Sequence, residues 1–134
     1  MTMTTDELTA ADVMARGFVT AEPENTLGEL AEHLAAADAG SALVVEFGHL
    51  IGIVTSRDIV RAVAERVHPS EGTVREWMTA SPATATPDLP IDDAARLMIE
   101  GGFHHLPVTK DQRPVGVVGL RSVVGALRRG FPGW

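Results

Sequence analysis

The sequence predicts a mixed α/β (α+β) fold of two β-α-β-β-α repeats, related by a pseudo-twofold axis and packed through their sheets. Three observations carry this expectation. The chain repeats itself without a gap at an offset of 64 residues. Each copy contains an amphipathic helix, and each then has two strand-length apolar runs joined by a short polar turn.

The repeat holds one register from about residue 10 to residue 128. Met14 and Met78, Thr20 and Thr84, Pro23 and Pro87, Gly52 and Gly116, and Arg57 and Arg121 all keep the same spacing. Apolar positions follow: Leu27 matches Ile91, Ile51 matches Val115, and Ile53 matches Val117. Chance supplies isolated matches, but not one register that keeps the glycine, the proline and the apolar pattern together. Repeat 1 spans 9–68 and repeat 2 spans 73–129, with tails at 1–8 and 130–134.

Each repeat opens with a short helical start, TAADVM or TVREWM, then an extended threonine-containing segment ending at Pro23 or Pro87. A helix follows. Leu27, Leu30, Ala31 and Leu34 fall on one face at i, i+3, i+4, i+7. Asn25 or Thr26 caps it, with Glu29 closing a capping box in the second case, and Gly40 is the expected stop. In the second copy Ile91, Ala94, Ala95 and Met98 repeat the stripe, Pro90 suits the first turn, and Gly101-Gly102 ends the helix. The strands are SALVVE with LIGIVT, and HLPVT with PVGVVG, joined through FGH and KDQR. A last helix carries Ile59, Val60, Val63 and Ala64, mirrored by Val123, Val124 and Leu127. A piece of about 60 residues with one apolar face is marginal alone, so the two halves are expected to share their burial, with two related clefts between them.

Composition narrows the function classes. A net charge of −7 argues against nucleic acid and against anionic lipid surfaces. With no cysteine there are no disulfides, thiolate nucleophiles or cysteine zinc sites. The opening MTMTTDELTAADVM has no apolar run of signal-peptide length, and no run approaches the roughly 20 residues of a membrane span. A cytoplasmic protein is the expectation. No Ser/His/Asp set, metal-ligand pattern or Walker loop is present, so no catalytic residue, metal or required cofactor is assigned. The remaining histidines, His33, His49 and His68, form no i, i+4 pair.

The stretch richest in chemistry is GIVTSRD, Gly52–Asp58, whose counterpart is GVVGLRS. Thr55 and Asp58 have the S/T-x-x-D/E spacing of a helix cap, and a structural cap is one reading. The other is a ligand site. A helix N-terminus presents free N–H groups and a positive dipole suited to phosphate, and a first-turn carboxylate can accept both hydroxyls of a ribose. The second copy has Gly119 and Ser122 at these positions and still carries the helical pattern, which favours the ligand reading.

The gapless repeat, the G-h-h-T-x-x-D string and His104-His105-Leu106-Pro107-Val108 together resemble a tandem pair of CBS domains, the module named after cystathionine β-synthase. The likeness covers Thr9 to about Arg129. It implies a regulatory module, not an enzyme, that senses an adenine nucleotide (AMP, ADP or ATP) or an adenosyl compound such as S-adenosylmethionine. It also implies a homodimer acting on an unidentified partner protein. By resemblance Ile53 lines a purine slot, Thr55 and Asp58 hold phosphate or sugar, and Pro82, Ala83, Thr84, His104, His105, Leu106 and Pro107 complete that cleft. The opposite cleft would combine Gly119 and Ser122 with Val19, Gly40, Ser41 and Ala42, and lacks both a carboxylate and a basic partner. One competent and one degenerate site are expected.

His105 stands where the family often has an arginine, so affinity for a phosphorylated ligand is expected to fall between about pH 6 and 8 as the histidine pair loses charge. The alternative is that one histidine merely packs or meets solvent. Arg57 adds positive charge at the cleft or lies on an exposed helix start. Trp77 and Met78 are expected in the core or a dimer contact, and the RRGFPGW tail either docks on a partner or packs locally. A ligand-free scaffold for oligomerisation is the competing function.

Overall fold

The computed structural model describes residues 8–130, so residues 1–7 and Phe131–Trp134 of the RRGFPGW segment lie outside the described residues. The first half of the chain runs α1 Ala10–Val13, β1 Val19–Ala21, α2 Leu27–Ala37, β2 Ser41–Glu46, β3 His49–Thr55 and α3 Ser56–Ala64. The second runs α4 Val74–Trp77, β4 Thr79–Ala80, α5 Ile91–Gly101, β5 His105–Lys110, β6 Arg113–Gly119 and α6 Leu120–Gly130. The elements form two compact units. Among the described residues, one is Phe18–Pro82 and the other joins 8–17 with 83–130.

The units interleave the repeats, because each opening helix folds with the other copy's strands. In the first unit the N–H groups of Val74 and Arg75 donate to Asn25 and Pro23 carbonyls, both at 2.8 Å. In the second, Ala10 and Ala11 donate to the matching Leu89 and Pro87, at 2.8 and 2.9 Å. A four-residue helix is too short to stand alone. Val74 and Ala10, both fully buried, anchor these turns in the two cores.

In the first unit β1 runs parallel to β2, β2 is antiparallel to β3, and β4 lies on the far edge of β3. Leu27, Leu30, Leu34, Val44, Val54, Ala62 and Val74 form its core. The second unit packs Ala94, Ala95, Met98, Leu106, Val108, Val118 and Val123 around a β5–β6 hairpin. Both hairpins turn on two residues at positive φ, Phe47-Gly48 and Asp111-Gln112, the backbone of a type I′ turn. Both break register at equivalent places, after Val44 and after Val108. Where the first unit has strand β1, the second has only a bridge from Ala85 to Val108. Ala85 donates to the Pro107 carbonyl and accepts from Thr109, both at 2.9 Å. The next rung would need an N–H on Pro107, and proline has none.

Three local expectations need correction. Gly40 does not end α2. The helix stops at Ala37, and Asp38 takes the left-handed conformation (φ 50°), which a short polar side chain tolerates. Pro90 sits one residue before the helix, at the N-cap position. The buried residues of α3 are Asp58 and Ala62, whereas Val60 and Val63 are 66% and 52% exposed. In α6, Val123 and Ala126 are buried and Val124 is exposed. Of the expected stripes, Ile59 in α3 and Val123 and Leu127 in α6 do pack on the cores, while Val60, Val63 and Val124 face away.

Among the described residues, no helix is long and apolar enough to cross a membrane. None of their His, Asp and Glu side chains gather in a group of three or more placed to hold a metal ion.

Candidate functional site

In the first unit, strand and helix meet at one corner. Ser41 pairs with Thr55 and Ala42 with Val54, Val19 lies beside Ala42, and the Ser56 N–H donates to the Gly40 carbonyl at 3.0 Å. Thr55 ends β3 with extended backbone angles and stands as the N-cap of α3. Its N–H donates to Asp58 Oδ2 at 2.8 Å and its hydroxyl to the same oxygen at 3.2 Å. Asp58 Oδ1 accepts from Arg61 Nη1 at 2.7 Å, an i,i+3 ion pair. Asp58 is the one charged residue with less than a tenth of its surface exposed among the described residues. Ile53 is buried in the adjoining strand, and Arg57 is exposed on the first turn of α3.

Both readings of Thr55 and Asp58 therefore keep support. The cap exists. Thr9 with Asp12, Thr26 with Glu29, and Thr73 with Glu76 build the same box at three other helix starts, so the pattern is this chain's general capping device. Glu29, which is exposed, is held below the ordinary glutamate range by the Thr26 N–H and then its hydroxyl. Asp58 differs from these boxes by its burial and its arginine.

The matching corner of the second unit has other chemistry. His105 pairs with Gly119, Leu106 with Val118 and Pro107 with Val117, while the Leu120 N–H donates to the His104 carbonyl at 2.9 Å. Gly119 presents no side chain and Ser122 is exposed. His104 is exposed and His105 half-buried at the start of β5; Leu106 and Pro107 are buried. Burial, then the neighbouring His104, holds the His105 imidazole below the usual histidine range. Its charged form is confined to lower pH than the sequence suggests. Pro82 closes the first unit, and Ala83 and Thr84 are exposed at the start of the adjoining segment. So Ile53, Thr55, Arg57, Asp58, Val19, Gly40, Ser41 and Ala42 share one unit, and His104–Pro107, Gly119 and Ser122 share the other. A surface depression of about 430 Å³ in the first unit, lined by Thr20, Ala21, Glu22, Asn25, His33 and Val45, includes none of the predicted site residues.

The role of Arg61 was not visible in the string GIVTSRD, because it lies one turn beyond Asp58. Its guanidinium is also 5.6 Å from the centre of the Trp77 ring. Trp77 and Met78 are half-buried against the core of the first unit, as one of their two readings expected.

Comparison with known proteins agrees with these features. The CBS domain family model matches twice, over residues 10–65 and 74–129. An uncharacterized 17.7 kDa protein of Acidianus ambivalens is 32% identical over 79% of this chain and 65% of its own length. The Arabidopsis thaliana CBS domain-containing protein CBSCBSPB1 is 40% identical over 78% of this chain but 20% of its own. The chain thus spans less than two thirds of either relative. Among solved structures, the CBS-domain protein ATU1752 of Agrobacterium tumefaciens superposes with a TM-score of 0.81 at 30% identity, covering 89% of this chain and 98% of that one. The CBS domain pair of protein MJ0100, solved with 5-methylthioadenosine and S-adenosyl-L-methionine, gives 0.80 at 29% identity over 88% and 94%. CBSX2, solved with AMP, gives 0.76 at 25% identity over 88% and 94%. With its two matched segments, its paired units and its Thr-x-x-Asp helix start, this chain belongs to the CBS domain family as a tandem pair.

Proposed function

We propose that the chain is a regulatory module that binds an adenosyl compound, either an adenine nucleotide or S-adenosylmethionine, and catalyses no reaction. The observation that carries this is Asp58, a buried carboxylate at the start of a helix whose counterpart, Ser122, leaves the same helix intact. Asp58 takes a ribose hydroxyl, the α3 N-terminus favours an anionic group, and Ile53 meets the purine. The solved CBS pairs bound to methylthioadenosine with S-adenosyl-L-methionine, and to AMP, support the ligand class. The module acts in the cytoplasm as a homodimer and passes ligand occupancy to a partner protein.

The scaffold alternative draws on one observation: Asp58 already has protein partners on both oxygens. Calorimetry and thermal unfolding with AMP, ATP and S-adenosylmethionine separate the two. A ligand at 100 times its dissociation constant adds about 2.7 kcal/mol of stability. Binding by the wild type, lost in Asp58→Ala, is the expected result; no response to any of the three leaves the scaffold.

A further inference from the structure

Asp58, Arg61 and Trp77 form a chain of contacts within the first unit. The Arg61 side chain is 57% exposed, yet its guanidinium bridges the Asp58 carboxylate at 2.7 Å and lies 5.6 Å from the Trp77 ring centre. The equivalent positions in the second unit are Ser122, Gly125 and Val13, so all three members are missing together.

Other features of these elements are kept in both units. Gly52 lies against Met78 as Gly116 lies against Met14, and the opening helices make matching hydrogen bonds. The fold therefore does not require the trio. Arginine and tryptophan accompany the acid, and where the acid is absent they are absent.

The acceptor count on Asp58 gives the arginine a role. An ionised carboxylate has about four acceptor positions, two on each oxygen. Oδ2 receives both donors of Thr55, and Oδ1 receives only Arg61. One position on Oδ1 is left for a ligand hydroxyl. We infer that Arg61, braced by the Trp77 ring, is a positioning residue that holds the Asp58 carboxylate with that position turned toward a ribose. This rests on the reading of Asp58 as the sugar contact. A guanidinium over an indole face is attracted by the ring's quadrupole, which limits the wandering of an otherwise exposed side chain.

The test uses the full chain with adenosine, AMP and S-adenosylmethionine as probes. Calorimetry on Arg61→Met is expected to show affinity weaker by about ten- to a hundredfold, the worth of a charge-assisted hydrogen bond. Arg61→Lys, which keeps the charge, is expected to recover part of it. In a Trp134→Phe background Trp77 is the sole tryptophan, and its emission is expected to shift as ligand saturates Asp58. That titration leaves Arg61 intact, so it reads out even if Arg61→Met folds poorly. Wild-type affinity in a folded Arg61→Met, or unmoved Trp77 emission at saturation, overturns the positioning role alone. Absence of binding to the wild type overturns the adenosyl reading, and this inference with it.

Discussion

Thr55 directs both its N–H and its hydroxyl at a single oxygen of Asp58, at 2.8 and 3.2 Å, which leaves the other oxygen to Arg61. The pair is thus a helix cap and a ligand candidate at once, and substitutions can separate the two. Thr55→Ala is expected to cost about 1 kcal/mol, the usual value of a lost cap. Asp58→Asn keeps an acceptor for the Thr55 N–H and is expected to cost no more than about 1 kcal/mol, while weakening adenosyl binding at least tenfold. Urea unfolding and calorimetry on the same samples check both. A nucleotide affinity unchanged in a folded Asp58→Asn would reduce the motif to its cap.

His105 makes stability depend on pH. The unfolded chain takes up a proton at His105 near the ordinary value of about 6.5, whereas the buried imidazole resists it until lower pH. Between those values the unfolded state holds more protons, so stability rises with pH. The His105 contribution is complete above the unfolded value and is lost as pH falls through the folded one. His105→Gln is expected to flatten this slope, read as urea midpoints at pH 5 and pH 7.5. For the same reason, any gain in phosphate affinity from a charged His105 should begin at lower pH than the residue type suggests. Equal slopes in variant and wild type would refute the assignment.

The glycines facing methionines are expected to tolerate no side chain. A Cβ on Gly52 would stand 2.6 Å from Met78 Sδ and 3.0 Å from the Thr79 carbonyl oxygen, and Gly116 meets Met14 and Ala15 in the same way. Gly52→Ala and Gly116→Ala should each cost about 1–3 kcal/mol by overpacking. Gly119→Ala, with open space around it, should change stability by less than about 0.5 kcal/mol.

Phe47 combines a left-handed backbone (φ 53°) with 94% exposure, so its ring gains little from burial. Left-handed geometry costs most residues roughly 1–2 kcal/mol, and Asn-Gly is the preferred pair for a type I′ turn. Phe47→Asn should therefore stabilise the protein by about 1 kcal/mol in thermal or urea unfolding. Destabilisation would mean that the ring has a packing role.

Val60 and Val63 test the proposed homodimer. Both are exposed on α3, and replacing the two with glutamate is expected to turn a dimer into a folded monomer, measured by sedimentation. A dimer that persists would place its interface elsewhere.

Much of the fold was legible in the residues. The 64-residue offset announced two copies of one architecture, β2 was foreseen at its observed limits, and Thr26 with Glu29 formed the box their spacing implied. These features depend on near neighbours: period, capping and turn chemistry operate over a few residues, and a repeated pattern repeats them. The opening helices were readable as helices, but not as guests of the other copy's strands. Likewise the sequence named Asp58 and Thr55, but the partnership with Arg61 and Trp77 appeared only when α3 met α4.

The sequence by itself determined the paired architecture, the element order and the asymmetry between an acidic Thr-x-x-Asp copy and a histidine-bearing one. Tertiary structure alone decided which face of α3 is buried, how far His105 is withdrawn from water, and how Asp58 is satisfied. The reason is physical. Local order follows from a residue's own torsions and nearest hydrogen bonds, whereas burial, desolvation and ion pairing depend on what distant segments bring against it.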